Sequence, residues 1–164
     1  MTATTWDRVE LAPVVLIKGT EGVLAERALA RLSAEARDAD PEVEVTRIEA
    51  RAYGTGELAM VASPSLFGER RLIIAEGAES MSDAFLTDVL AYLAAPESDV
   101  WLLIRHGGGN RGKKLLDALA KAGPVVVCDP IKRDQDKVSF VREDFARARR
   151  KIEPHAVHAL IEAV

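Results

Sequence analysis

The chain has 164 residues, 48% of them hydrophobic, a formal net charge of −4 and a single cysteine. That size and apolar content support one good core with room for part of a second, helical domain, and the lack of any biased tract argues against disorder. One cysteine excludes an internal disulfide. No apolar run approaches the roughly 20 residues of a spanning helix, and the start Met1-Thr2-Ala3-Thr4-Thr5-Trp6-Asp7 has no basic-then-apolar signal, so a cytoplasmic protein without a membrane span is expected. The charge is also uneven: residues 1–104 hold 9 Lys or Arg against 18 Asp or Glu, and residues 105–164 hold 13 against 8. The acidic first portion would repel duplex DNA at long range.

In chain order, Val14-Val15-Leu16-Ile17 is a short continuous apolar run, as expected for a strand covered on both faces in a parallel sheet. The turn Gly19-Thr20-Glu21-Gly22-Val23-Leu24 follows it, where a nucleotide-binding domain would place a phosphate loop. Such a loop needs a lysine for the phosphates and a hydroxyl for magnesium, yet Val23 and Leu24 stand after Gly22, and Glu21 would repel an anion. Leu24, Ala28, Leu29, Leu32 and Ala36 then make the apolar stripe of a helix. After Pro41, residues 43–48 alternate like a strand, and residues 55–62 suit a helix.

Ser63-Pro64-Ser65-Leu66-Phe67-Gly68-Glu69-Arg70 precedes the apolar run Leu72-Ile73-Ile74-Ala75. Pro64 and Ser65 suit a helix start and Gly68 a stop, which predicts a one- to two-turn helix carrying Leu66 and Phe67. Adjacent residues on a helix point about 100° apart, so both can be buried only if a second surface closes over them. Either one of them tucks under the domain or the pair is a hydrophobic plug for a partner's pocket. The strand at 71–75 runs into Glu76-Gly77, with no Asp-Glu pair to hold a metal and polarise water.

Residues 82–93 are amphipathic, 100–104 a strand, 113–121 a helix and 125–128 a last strand whose end, Cys128, reads as a buried thiol. Five strands alternating with helices imply a doubly wound α/β sheet. Between the last two strands, His106-Gly107-Gly108-Gly109-Asn110-Arg111-Gly112-Lys113-Lys114 is a glycine-rich, basic loop. It is either a solvated connection or an anion or DNA contact through Arg111, Lys113 and Lys114.

After Pro130 a polar connection leads to helical spacing at Val138, Val141, Phe145 and Ala148, and Pro154 suits the first turn of a further helix that has no stop signal. His155 and His158 fit a surface helix better than a metal site, since no carboxylate or thiol cluster joins them. Arg147, Arg149, Arg150 and Lys151 fit a solvated helix end.

A Ser65-Leu66-Phe67 segment before a central strand, behind a first strand whose turn looks like a phosphate loop without its lysine, resembles the delta subunits of the bacterial DNA polymerase III clamp loader. The likeness extends over nearly the whole chain. It implies an AAA+-like five-stranded parallel sheet over residues 1–135 with no nucleotide or other cofactor, then the truncated start of a helical lid domain over residues 136–164. It also implies no catalytic activity of the chain's own, and clamp contact through Leu66 and Phe67, with Ser65 beside them. The partners so implied are the sliding clamp (beta), the ATPase and delta-prime subunits, chiefly through a region beyond residue 164, and DNA through the assembly alone. Two other classes stay open on the residues: a phosphate-binding enzyme domain built on residues 106–114, and a nucleic-acid module using the basic C-terminal portion.

Overall fold

The computed structural model describes residues 2–130. The helical lid start expected at 136–164, with the histidine pair and basic cluster of that stretch, falls outside the described residues. The described elements run in the order β1 (Thr2–Thr4), β2 (Val14–Lys18), α1 (Gly22–Ala39), β3 (Glu44–Glu49), α2 (Glu57–Val61), β4 (Arg71–Glu76), α3 (Asp83–Ala94), β5 (Val100–His106), α4 (Lys113–Ala122) and β6 (Pro124–Val127). Short 3-10 turns at Ala50–Ala52 and Ala78–Ser80 continue β3 and β4.

All pairings are parallel, in the order β1-β6-β2-β5-β4-β3. The sheet therefore has six strands among the described residues, not the five expected from sequence. The additional strand is β1, three residues at the edge, with Thr2, Ala3 and Thr4 opposite Pro124, Val125 and Val126. Three residues with two threonines and no apolar run give no periodicity to read, so only the pairing with β6 makes them a strand.

The central strands are apolar on both faces because helices cover both. Leu16 sits between Ile104 on β5 and Val125 on β6. Val14, Leu16, Ile73, Ala75, Leu102 and Ile104 join Phe85 and Val89 of α3 and Leu115 and Leu119 of α4 in one buried cluster. Alternation along the strands turns Val15, Ile17, Leu72, Ile74 and Leu103 to the other face. On α1 the buried stripe is Leu24, Ala25, Ala28, Leu29, Leu32 and Ala36, the set that helical spacing predicts. Ser82 caps α3, its hydroxyl accepting the Phe85 amide at 3.2 Å.

Parallel strands bring their C-terminal ends, and the turns that follow, to one edge of the sheet. At that edge Gly19, at φ +145°, lies so close to the backbone after β6 that a Cβ would come within 2.1 Å of the Cys128 carbonyl oxygen. Only glycine fits there, because both the dihedral and the approach exclude a side chain. Burial pushes the Cys128 thiol up to about 11, as expected of an unreactive core thiol.

Candidate partner-binding site

Leu66 and Phe67 lie between α2 and β4 on a β-turn, not on the short helix expected from Pro64 and Gly68. The Gly68 amide donates to the Ser65 carbonyl at 3.4 Å, and Gly68 takes φ +78°. The Ser65 hydroxyl accepts the Phe67 amide at 3.2 Å and donates to the Glu69 carboxylate. Two local causes defeat the helix. The Ser65 side chain captures a backbone amide in a local turn, and the few residues before the left-handed Gly68 cannot repay helix nucleation. Gly also suits the last position of such a turn.

The outcome for the side chains is unambiguous: Leu66 is 96% and Phe67 87% exposed. Neither tucks under the domain, although Leu58 and Ala62 just before them and Leu72 and Ile73 just after are buried. Met60 on α2 is 74% exposed, so the three most exposed large hydrophobic residues described fall within eight consecutive positions. Met60 was missed by sequence reading, because a methionine in a helical stretch fits core and surface equally well.

Both flanks of this segment are held by long-range bonds. On the first flank, α2 has only five residues, too few to stand on backbone bonds alone. The Tyr53 hydroxyl donates to Asp88 of α3 at 2.6 Å and accepts the Leu58 amide at 2.8 Å, while the Gly56 amide donates to the same Asp88 carboxylate at 2.9 Å. Tyr53 also meets Phe85 edge-to-face at 5.5 Å. Burial and the Asp88 bond push the Tyr53 phenol up to about 12, and the Tyr53 bond, then the Gly56 amide, hold Asp88 below its ordinary value. On the second flank, the Arg70 guanidinium stacks on the Trp101 ring at 3.6 Å, and its amide donates to Asp40 at 2.8 Å. The Arg71 amide then joins Asp99 at the entry to β4. Gly56 starts α2 at φ +92°, which is why the helix begins at Glu57 and not at 55.

The glycine-rich loop occupies the sheet edge. His106 is fully buried; its Nδ1 accepts the Gly108 amide at 3.1 Å, and its Nε2 donates to the Arg111 carbonyl at 3.0 Å in the matching tautomer. The Gly107 amide bonds to Glu79 at 3.2 Å, so the loop is tied down internally. Arg111 donates to the Met81 carbonyl at 3.0 Å and faces Asp83 at 3.5 Å. Lys113 bonds Asp117 at 3.1 Å one turn along α4, and Lys114 is exposed beside it. The structure thus gathers Arg111, Lys113 and Lys114 at one helix start, with two of the three cations already facing carboxylates.

The turn after β2 is likewise committed. The Gly19 amide donates to the His106 carbonyl at 3.0 Å and the Glu21 amide to the Cys128 carbonyl at 2.9 Å, which takes from this turn two amides that could otherwise face an anion. Among the described residues no group of three or more His, Cys, Asp or Glu is placed to hold a metal, and no helix is long and apolar enough to cross a membrane.

The fold of the described residues, a parallel six-stranded sheet with helices on both faces, is shared with solved clamp-loader and RuvB structures. The Bacillus subtilis DNA clamp loader delta protein superposes with a TM-score of 0.67 at 16% identity, over 95% of this chain and 49% of its own. The Thermotoga maritima RuvB Holliday junction branch migration motor superposes with a TM-score of 0.57 at 15% identity, over 93% and 49%. The chain therefore spans about half the length of the structures it resembles. No protein-family model and no curated relative matches the sequence.

Proposed function

We propose that this chain is the clamp-binding portion of a clamp-loader delta subunit, acting in DNA replication in the cytoplasm. The carrying observation is the pair Leu66 and Phe67, 96% and 87% exposed at the tip of a turn whose flanks are anchored, one to α3 and the other to the sheet and the α1–β3 connection. Two large side chains held in water that way are a cost to the free protein, and docking into an apolar pocket recovers it. The likeness in fold to a clamp loader delta protein supports the same reading. The partner is the sliding clamp (beta), and the role is mechanical. ATP bound by sister subunits supplies the energy, while this domain contributes a higher affinity for an opened or distorted clamp than for the closed ring.

On this reading the chain is not itself an enzyme and takes no nucleotide. Glu21, Val23 and Leu24 stand where phosphate chemistry needs a cation and a hydroxyl, and the Gly19 and Glu21 amides are already paired. The ATPase and delta-prime subunits are reached chiefly through a region beyond residue 164, and DNA through the assembly.

The test is clamp binding by the protein and by its Leu66→Ala, Phe67→Ala variant, using the sliding clamp of the same organism. Each side chain buried in a pocket contributes roughly 1.5–3 kcal/mol, so the double change weakens binding by at least about a hundredfold. The melt stays nearly unchanged, because exposed substitutions away from special features usually shift stability by under about 0.5 kcal/mol. Intact affinity overturns the proposal.

A further inference from the structure

Met60 is an exposed hydrophobic residue on a helix that the fold takes unusual trouble to fix. We propose that it is a third anchor of the same docking surface as Leu66 and Phe67, and that this surface fits an apolar pocket on the clamp bordered by cationic groups; the inference rests on the clamp-binding reading.

Three observations carry it. The first is position. Met60 and Leu66 are six positions apart, and a chain of six residue steps spans at most about 22 Å. One partner's share of a standard interface, about 800 Å², is roughly 28 Å across, so a single partner surface is wide enough to reach all three side chains.

The second is rigidity. The Met60 amide bonds the Gly56 carbonyl at 3.1 Å, and Gly56 is in turn held by Asp88 at 2.9 Å. Leu58, two residues before Met60, is buried with its amide on the Tyr53 hydroxyl at 2.8 Å. A short helix secured at its start and middle presents its outward residue in one place, which lowers the ordering cost of binding. The unbranched thioether then adapts to the pocket wall it meets.

The third is charge. Residues 52–69 contain two carboxylates, Glu57 and Glu69, and no Lys, Arg or His. Beyond them Arg70 is stacked on Trp101, and Arg71 is mostly covered and faces Glu44 at 3.4 Å. The segment that carries the exposed apolar side chains is therefore net negative, with the exposed Arg51 lying just before it, and complementarity calls for cationic groups on the partner.

The experiment measures clamp affinity and melting for the full chain and for Met60→Ala, Met60→Leu, Met60→Glu and Met60→Lys, with the Leu66→Ala, Phe67→Ala protein as reference. Met60→Ala is expected to weaken binding about tenfold with an unchanged melt, and Met60→Leu to restore most of it. Met60→Lys is expected to lose at least fivefold more than Met60→Glu, and the wild-type association rate to fall with salt. If the double variant loses binding while Met60→Ala binds like wild type, the third anchor is wrong and the clamp reading stands. Equal losses for Lys and Glu overturn the cationic rim. If the wild-type chain does not bind the clamp, both the reading and this inference fail.

Discussion

The carboxylate of Asp40, just past the end of α1, accepts the backbone amide of Arg70, just past the turn that carries Leu66 and Phe67, at 2.8 Å. The Arg70 carbonyl accepts the Glu44 amide at 3.0 Å, so this one residue is tied to both sides of the α1–β3 connection. A second bond to the Asp40 carboxylate, from the Glu42 amide at 2.9 Å, fixes the acceptor itself.

These bonds make the anchor pH-dependent in a definite direction. The Arg70 amide first, and the Glu42 amide second, hold the Asp40 carboxyl below its ordinary value of 3.8. A carboxylate with a depressed folded value contributes stability that is fully present above the unfolded value and lost as pH falls through the folded one. The Arg70 amide resonance should therefore hold its position from neutral pH down to about 4 and move in more acid solution. In Asp40→Ala the amide should exchange with solvent faster at neutral pH and show no such acid step. An Arg70 amide that ignores both the substitution and the acid range refutes the anchor.

Tyr53 gives a second prediction. Tyr53→Phe removes one hydroxyl that serves two partners, leaving the buried Leu58 amide without an acceptor and Asp88 with the Gly56 amide but not the phenol as a donor. Such a loss costs about 1–3 kcal/mol, read as a fall in the denaturant midpoint with an unchanged slope. The phenol's folded value is raised from 10.0 to about 12, so its contribution is complete below pH 10 and disappears as pH rises towards 12. The wild type should lose stability across that alkaline interval, and Tyr53→Phe should lack that increment.

The sheet was legible because its strands are short continuous apolar runs between helical stripes, a pattern that burial on both faces imposes on residues such as Leu72 and Leu103. Strand β1 was not, since Thr2 and Thr4 become a strand through pairing with β6 alone. Leu66 and Phe67 stand out in the sequence as two large hydrophobic residues that one short segment cannot bury together. Their conformation was misread because Ser65 bonds a backbone amide through its side chain, a choice that propensity does not reveal. Met60, Asp40 and Asp88 carried no signal at all. Each matters through a partner 30 or more residues away or through an exposure that only the folded chain defines.

A third prediction concerns nucleotides. The turn after β2 has no lysine between Gly19 and Leu24, places Glu21 at its centre, and has committed the Gly19 and Glu21 amides to carbonyl oxygens. Calorimetry with ATP and magnesium at millimolar concentration should give no saturable heat, and no phosphate should be released. Micromolar binding would contradict the reading of this turn and favour a nucleotide-binding enzyme domain.

The last prediction separates the tip of the turn from what shapes it. Leu66 and Phe67 supply the apolar surface, whereas Ser65 sets its conformation by accepting the Phe67 amide and donating to Glu69. In Ser65→Ala both bonds vanish, the backbone of the turn samples more states, and docking has to restore the order. That restoration costs about 0.5–1.5 kcal/mol for each rotamer-rich side chain immobilised, so clamp affinity should fall roughly two- to tenfold, well short of the loss from removing Leu66 and Phe67. The melt should barely move, because the turn is exposed and covers no core. Ser65→Thr keeps the hydroxyl and should bind close to wild type. If Ser65→Ala binds as tightly as wild type, the turn is not pre-set by this side chain. If it binds as weakly as the double alanine variant, Ser65 makes a direct contact with the clamp beyond its part in shaping the turn.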